Sequence, residues 1–234
     1  MLLDIRNLEA GYGAARVLFG LSLSMREGEI ITLLGRNGMG KTTTVRAICG
    51  QLRPVGGEIL FKGARIEAAP AHRIARLGVG LVPEGRHIFP NLSVRENIMM
   101  SAIHRPQKKE SWTFERVLSF FPRLAERLNN GGSQLSGGEQ QMLAIGRALM
   151  TNPDLLILDE ATEGLAPIIR QQIWATLENL KKTGLSMIVI DKEVDSLESL
   201  ADRHYVMEKG EIVWSGSSAE LEADARVRDT YLSV

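Results

Sequence analysis

Short apolar runs separated by glycine-containing turns predict a protein of mixed α/β structure. Leu3, Ile5 and Leu8 fall on one side of a predicted first strand, which is typical of a half-buried strand. Continuous apolar runs, which favour strands covered on both faces, occur at residues 30–34, 78–82, 155–158 and 186–190. Helical patterns lie between several of these runs. We therefore expect a core sheet of largely parallel strands with helices packed against it.

Turn signals near both ends of the chain predict sharp reversals. We predict a turn over Ala10–Gly13, followed by a second strand over Val17–Leu23. Near the other end, Lys209-Gly210 separates two apolar segments in the manner of a β-hairpin.

The middle of the chain has a helical pattern with interruptions. Ser93 and Glu96 form a capping box that predicts a helix start. From there to about Arg127 we predict mostly helix, divided into short pieces by Pro106 and Pro122.

The clearest chemical signal is a phosphate-binding loop. The stretch that matches the pattern G-x-x-x-x-G-K-[ST] is Gly35-Arg36-Asn37-Gly38-Met39-Gly40-Lys41-Thr42. It lies between an apolar strand and a predicted helix over Thr43–Cys49, so backbone N–H groups and the helix N-terminus can surround an anion. We expect Lys41 to reach the β- and γ-phosphates and the Thr42 hydroxyl to bind Mg²⁺. The sequence thus predicts a nucleotide site in which residues 35–43 contact the phosphates.

A second glycine-containing helix start follows. Ser136 and Glu139 form a capping box for a helix that runs to about Met150. Capping does not explain Gly137 and Gly138 in the first turn, where glycine lowers helix propensity. Glycine there allows another molecule to approach the backbone, and a helix N-terminus attracts anions. We therefore predict that residues 136–138 contact a ligand.

Two carboxylates end the apolar run at 155–158. Asp159 and Glu160 would lie at the carboxyl end of a parallel strand, where open α/β sheets bind ligands. We expect Asp159 to bind Mg²⁺, as a Walker-B aspartate does, and Glu160 to activate water as a general base.

Composition limits the classes of function. The 234 residues carry 28 Lys+Arg and 28 Asp+Glu, with no basic run, so we predict no nucleic-acid partner. The single cysteine, Cys49, excludes an intramolecular disulfide and suits a reducing compartment. No apolar run approaches the length of about 18 residues that a membrane span requires, so we expect a soluble, cytoplasmic chain.

Together, the order of these motifs resembles that of the ATP-binding subunits of ABC transporters, over essentially the whole chain. The phosphate loop precedes a linker after strand 78–82, then Leu135–Gln141, then Asp159-Glu160. The resemblance implies the P-loop ABC ATPase fold: a mostly parallel RecA-like core sheet, an N-terminal antiparallel β part and an inserted helical subdomain. It implies one domain over 1–234, with the core in 1–83 and 150–234 and the helical subdomain over about 84–149.

The resemblance also implies roles in binding ATP and Mg²⁺. Tyr12 lies between two glycines and could either pack or stack on a base. It matches the aromatic residue that stacks on adenine in this family. Ser136, Gly137 and Gly138 match the signature that contacts the γ-phosphate held by the opposite subunit.

Two segments, Val82–Pro90 and Ala161–Pro167, are similar to branched-chain amino acid importers, in particular to the smaller of their two ATP-binding subunits. Glu84 stands where the family usually has glutamine. A carboxylate also binds Mg²⁺ through a hard oxygen, so we assign Glu84 to the metal and to catalysis.

Lys192 departs further from the family, which usually has histidine at this position and often glutamine in this branch. A lysine can meet γ-phosphate oxygens as a point charge, but it cannot accept a proton while charged. Two interpretations stay open: Lys192 stabilises charge while Glu160 acts as the base, or Lys192 is a solvated strand-end charge in a partly degenerate site.

The resemblance implies that ATP is enclosed between two ATP-binding subunits, identical or different. The helical part after Glu84 would dock on membrane permease subunits, with a solute-binding protein acting indirectly, at the inner face of the membrane. Alternatives are a non-transport ABC ATPase, a P-loop kinase and a nucleotide-dependent assembly switch with little turnover. The chain has neither the coiled-coil insertion nor the second ATPase unit usual in the first class, and a kinase would not explain Leu135–Gln141.

Overall fold

The computed structural model describes residues 1–105 and 110–232 of the chain, so the predicted break at Pro106 lies outside it. The strands are β1 (Leu3–Tyr12), β2 (Ala15–Met25), β3 (Ile30–Leu34), β4 (Gly56–Phe61), β5 (Ala64–Arg65), β6 (Val79–Val82), β7 (Leu155–Asp159), β8 (Ser186–Ile190), β9 (Arg203–Glu208) and β10 (Glu211–Gly216). The helices are α1 (Lys41–Ile48), α2 (Ala71–Leu77), α3 (Val94–Met99), α4 (Phe114–Phe120), α5 (Pro122–Ala125), α6 (Gly137–Met150), α7 (Pro167–Lys181), α8 (Val194–Leu200), α9 (Ser218–Ala223) and α10 (Ala225–Val227). Over the described residues, no helix is long and apolar enough to cross a membrane.

The strands form two sheets. The first is antiparallel, with strand order β2-β1-β4-β5. The second has the order β10-β9-β3-β8-β7-β6 and is parallel except for the β9–β10 hairpin. This confirms the predicted largely parallel core sheet with an antiparallel part at the N-terminus.

The parallel sheet is buried on both faces. Along β7, Leu156 and Leu158 belong to one hydrophobic cluster, which also contains apolar residues of α6 and α7. Leu155 and Ile157 belong to the other cluster, which the antiparallel sheet and α1 share. The continuous apolar runs in the sequence follow from this double coverage, because every side chain of such a strand enters a core.

The N-terminal turn lies later than predicted. Ala10, Gly11 and Tyr12 belong to β1, and the chain reverses at Gly13, whose φ is +60°. Tyr12 pairs with Ala15, so the loop is a two-residue hairpin turn. The prediction of a turn over Ala10–Gly13 was wrong because a glycine inside a strand was taken for part of the turn.

The region after Ser93 is less helical than predicted. The capping box of Ser93 and Glu96 is confirmed, but α3 ends at Met99. The buried side chain of Asn152 binds the backbone on either side of the undescribed gap. It donates to the carbonyl oxygen of Ile103 at 2.9 Å and accepts from the N–H of Trp112 at 2.5 Å. The non-helical backbone thus has tertiary hydrogen-bond partners, which the sequence pattern could not indicate.

The helices of this region pack together. Helices α3, α4 and α5 contact α6, which in turn contacts β6 and α7. The boundaries of a helical subdomain near residues 84 and 149 stay a prediction.

His204 is a buried polar residue that links the parallel sheet to helix α9 through hydrogen bonds. Its side chain is fully buried on β9, with Nδ1 2.7 Å from Thr32 Oγ1 and Nε2 2.9 Å from Ser218 Oγ. Burial lowers the pKa of His204 from 6.5 to about 4. The imidazole is therefore neutral in the folded chain at neutral pH.

We predict that His204 makes the stability of the fold depend on pH. The unfolded histidine binds a proton near pH 6.5 and the folded one only near 4, so stability is complete above the first value and is lost as pH falls toward the second. By about pH 4.5 this effect should reach roughly 2–3 kcal/mol.

The measurement is urea unfolding of the original protein and of His204→Gln, at about pH 7.5 and about pH 4.5. The free energy of unfolding should fall more steeply with acid in the original protein, because glutamine does not titrate. Equal pH dependence in the two proteins would contradict the prediction.

Candidate functional site

The loop between β3 and α1 is shaped by glycines. Gly35, Gly38 and Gly40 have φ values of +136°, +80° and +106°. A Cβ on Gly35 would lie 2.4 Å from the carbonyl oxygen of Met207, so no other residue fits there without a backbone shift. The positive φ values explain why glycine occupies positions 35, 38 and 40 of the loop.

The side chain of Lys41 folds back onto the backbone of this loop. The residue is only 9% exposed, and its Nζ donates to the carbonyl oxygens of Gly35 at 2.7 Å and Arg36 at 3.0 Å. Burial lowers the pKa of Lys41, while the negative charges of Glu160 and Asp159 act in the opposite direction. The ammonium group is therefore fixed beside the backbone that the sequence assigns to phosphates.

Met39 anchors the loop to the β9–β10 hairpin. Its Sδ accepts a hydrogen bond from the N–H of Lys209 at 3.2 Å, and its carbonyl oxygen accepts one from the N–H of Gly210 at 3.0 Å. The side chain packs against the cluster shared with the antiparallel sheet. Its backbone N–H donates to the carbonyl oxygen of Arg36 at 3.4 Å, so each polar group of Met39 is already bonded within the chain.

A cavity of about 300 Å³ opens beside the loop. It is lined by Val17, Asn37, Gly38, Gly40, Lys41, Thr42, Thr43, Glu84, Glu160, Glu163 and Lys192. Most of the predicted phosphate-contacting residues therefore share one space with the predicted catalytic residues. Val17 and Glu163 were not predicted. Glu163 could have been found, because it follows Glu160 in the same strand-end loop.

Asp159 ends β7 almost completely buried, at 3% exposure. Its carboxylate is hydrogen-bonded to Thr42, and its Oδ1 has no hydrogen-bond partner among the described residues. Burial raises the pKa of Asp159, and the hydrogen bond with Thr42 counteracts this effect. A buried carboxylate oxygen without a partner is a costly arrangement that a cation would satisfy.

Thr42, Asp159 and Glu84 line a second cavity of about 410 Å³ that adjoins the first. Their hydroxyl and carboxylate oxygens are the hard ligands that Mg²⁺ prefers. The oxygen of Asp159 without a partner supports the same conclusion, so these residues fit a Mg²⁺ ion. The carboxylate of Glu84 also lies within 4.8 Å of those of Glu160 and Glu163.

Glu160 occupies a strained position directly after β7. Its φ is +52°, and its N–H donates to the carbonyl oxygen of Ile190 at 2.8 Å, which holds the turn against β8. The pKa of Glu160 rises to about 7, first because of burial and then because of the hydrogen bond and charge of Glu163. Lys192 has the opposite effect on this pKa. A carboxylate with a pKa near neutrality is suited to general-base chemistry.

Lys192 follows β8 and points to the same space. Its Nζ lies 2.6 Å from Glu163 Oε1 and 3.8 Å from Glu160 Oε2. The hydrogen bond with Glu163 raises the pKa of Lys192 and lowers that of Glu163. Lys192 is therefore a fully charged group in an ion pair within its own chain, rather than an isolated strand-end cation.

Tyr12 lies outside the cavity lining. The residue is 44% exposed, and its hydroxyl accepts a hydrogen bond of 3.0 Å from Arg46 Nη1 on α1. The guanidinium carbon of Arg46 lies 5.8 Å from the ring centroid. Tyr12 is thus hydrogen-bonded to the helix that follows the phosphate loop, and the residue remains partly accessible.

The signature residues also lie outside the cavity. The capping box of Ser136 and Glu139 is confirmed. A Cβ on Gly138 would lie 2.4 Å from Ile169 Cγ2, and one on Gly137 would lie 2.9 Å from Arg86 Nη1. Close packing inside the chain therefore accounts for part of the glycine requirement that we attributed to another molecule.

We predict that Asp159→Asn lowers the affinity for Mg²⁺ in the presence of ATP at least about tenfold, because the amide removes the charge of a direct ligand. Stability without ligands should stay the same or rise slightly, since a neutral amide is cheaper to bury than an unpaired charge.

The measurement is the melting temperature with ATP over a Mg²⁺ titration. Asp195→Asn, which changes a side chain that is 94% exposed, is the control and should behave as the original protein. Equal Mg²⁺ dependence of the Asp159 variant and the control would contradict the assignment.

Comparison with known proteins agrees with the fold and the motif order. Residues 18–163 match the family model described as ABC transporter. The high-affinity branched-chain amino acid transport ATP-binding protein BraG of Pseudomonas aeruginosa is 40% identical over 231 residues, which cover 99% of this chain and 99% of that protein. The lipopolysaccharide export system ATP-binding protein LptB of Escherichia coli K12 is 33% identical over 232 residues, with 98% and 96% coverage.

Solved structures give the same result. A nucleotide-free ATP-binding cassette from an ABC transporter aligns with a TM-score of 0.81 at 25% identity, covering 97% of this chain and 96% of that one. Another such cassette, in its ADP conformation, aligns with a TM-score of 0.82 at 25% identity and 97% coverage of both chains. These alignments confirm the predicted ABC ATPase fold. Given this fold, the family match over residues 18–163 and relatives of nearly equal length, the chain belongs to the ABC transporter family as an ATP-binding, ATP-hydrolysing subunit.

Proposed function

We propose that this chain powers an importer of branched-chain amino acids or of a related small polar solute. The 40% identity to BraG over nearly the whole of both chains supports this branch. The segments Val82–Pro90, which contains Glu84, and Ala161–Pro167, which follows Glu160, support it as well. The proposal of ATP hydrolysis depends on one observation, which is that Lys41, Thr42 and Glu160 line the same cavity.

Nucleotide binding would use the backbone of residues 35–43. The N–H groups there surround the phosphates, and the ammonium of Lys41 exchanges its carbonyl partners for phosphate oxygens. The accessible ring of Tyr12 would stack on adenine, with Arg46 behind it. Thr42, Asp159 and Glu84 would hold Mg²⁺, which when bound neutralises charge on the phosphate oxygens.

The chemistry is transfer of the γ-phosphoryl group to water. The water oxygen bonds to the γ-phosphorus, the bond from that phosphorus to the bridging oxygen breaks, and ADP and inorganic phosphate leave. Glu160 accepts the proton of the attacking water, for which its pKa of about 7 is suited. Lys192 stabilises the negative charge of the transferred group.

The site would be completed by a second ATP-binding subunit, either a copy of this chain or a related one. Ser136, Gly137 and Gly138 of that subunit would cover the γ-phosphate, because the same residues of this chain lie outside its own cavity. Nucleotide binding then closes the pair and hydrolysis opens it. Permease subunits would dock near the helices after Glu84, at the cytoplasmic face of the membrane, and a solute-binding protein would deliver the solute to them.

The alternatives differ in turnover and in partners. A nucleotide-dependent assembly switch would turn over slowly with or without permeases, whereas a transport ATPase should be stimulated by them. The 33% identity to LptB leaves an exporter as the second candidate. Capture of the membrane partners, followed by an ATPase assay with and without them in lipid, tests the proposal. Partners that carry no permease, or a rate that the permease leaves unchanged, would contradict it.

We predict that Glu160→Gln binds ATP with nearly unchanged affinity but hydrolyses it at least about a hundredfold more slowly, because the amide cannot accept a proton. The nucleotide should then trap the closed pair, visible as a doubled mass in size-exclusion chromatography with light scattering. Phosphate release at the original rate would refute the role of Glu160.

We also predict that Lys192→Ala lowers kcat roughly tenfold or more at saturating ATP, because a charge that stabilises the transferred phosphoryl group is lost. Lys182→Ala, which removes an exposed lysine of the α7 end, is the matched control. Unchanged turnover of the Lys192 variant would leave Lys192 as a strand-end charge without a catalytic role.

A further inference from the structure

Among the described residues, Glu163 is the acidic residue lining the phosphate cavity that the mechanism above does not use. Its Oε1 lies 2.6 Å from the Nζ of Lys192, the shorter of the two carboxylate contacts that this ammonium makes. Both side chains line the cavity that also contains Lys41. The cation assigned to the γ-phosphate is thus already paired with a carboxylate of its own chain.

Glu163 lies in the loop after β7 and Lys192 in the loop after β8, and hydrogen bonds join these two loops. Thr162 Oγ1 and the N–H of Thr162 donate to Asp191 Oδ2 at 2.7 and 3.0 Å, and both residues are buried. The other oxygen of Asp191 accepts from the N–H of Lys192 at 2.8 Å. The backbone next to Glu163 and Lys192 is therefore fixed on both sides.

The side chains of Glu163 and Lys192, unlike the backbone next to them, can change partners. They are 45% and 55% exposed, respectively. Lysine has a long flexible stem, so its ammonium can move to a new anion by rotation about side-chain bonds alone. Exchange of Glu163 for a phosphate oxygen needs no movement of either loop.

We propose that Glu163 competes with the γ-phosphate of ATP for Lys192 and thereby sets how strongly the site prefers ATP to ADP. The inference rests on the proposed function, because it assumes that a triphosphate binds in this cavity. A γ-phosphate must displace the carboxylate to reach Lys192, whereas ADP leaves the pair intact. Glu163 thus weakens the binding of ATP and has little effect on that of ADP.

The local charges act in the same direction. Carboxylate oxygens of Glu84, Glu160 and Glu163 lie within 4.8 Å of one another, so the cavity mouth repels an added anion. Removal of the Glu163 charge both releases Lys192 and lowers this repulsion. Since exposed ion pairs contribute little, the expected gain in ATP affinity is about two- to fivefold.

The experiment measures dissociation constants by calorimetry for Mg²⁺ with ADP and with the β,γ-imido analogue of ATP, which is not hydrolysed. Glu163→Gln should bind the analogue about two- to fivefold more tightly and ADP with less than about a twofold change. In a Lys192→Gln background the same substitution should tighten the analogue by less than about twofold, because only the repulsion is then relieved. Asp4→Asn, which breaks an exposed 2.6 Å ion pair with Arg6 on β1, is the control and should change neither constant.

Each other outcome decides against the inference. Unchanged or weaker binding of the analogue by Glu163→Gln would mean that Glu163 does not compete for Lys192, or that it holds Lys192 in place. Equal tightening of both nucleotides would indicate a general charge effect. Glu163→Ser, compared by melting temperature, repeats the test with a smaller side chain. Failure of the original protein to bind either nucleotide would instead refute the proposed function.

Discussion

Burial of the parallel sheet on both faces is the constraint on which the rest of this protein depends. β3, β7 and β8 are buried at every position and lie next to one another, so neighbouring backbones are about 4.8 Å apart. Side chains that contact a ligand can therefore lie only at the ends of these strands, where the chain leaves the core. The phosphate loop follows β3, Glu160 follows β7 and Lys192 follows β8. Their convergence is a consequence of strand order and direction.

The charges at this edge are balanced inside the chain in a way that a nucleotide can replace. Lys41 donates to two carbonyl oxygens, and Lys192 is paired with Glu163. Asp159 keeps one buried oxygen without a partner among the described residues. Phosphate oxygens and a divalent cation would satisfy each of these groups at once. The arrangement thus favours a ligand that brings both signs of charge, as nucleotide with magnesium does.

Much of the fold could be predicted because its signals are local. These signals depend on neighbouring residues only. They are the continuous apolar runs of the core strands, the capping boxes at Ser93 and Ser136, and the turn at Lys209-Gly210. The turn over Ala10–Gly13 was a local error, whereas two others occurred where distant residues decide. Asn152 binds the non-helical backbone at Trp112, and this contact spans 40 residues of sequence. Glu163 was overlooked because its importance comes from Lys192, which lies 29 residues further along the chain.

By itself, the sequence determined the phosphate loop, the order of the motifs and hence the family, because these features depend on residue types at short spacings. Only the tertiary structure decided which side chains meet. It brings Glu163 to Lys192, packs Ile169 against Gly138 and leaves Tyr12 beside Arg46. The physical reason is that strand order and loop direction set these distances, and neither is encoded in any single segment of the chain.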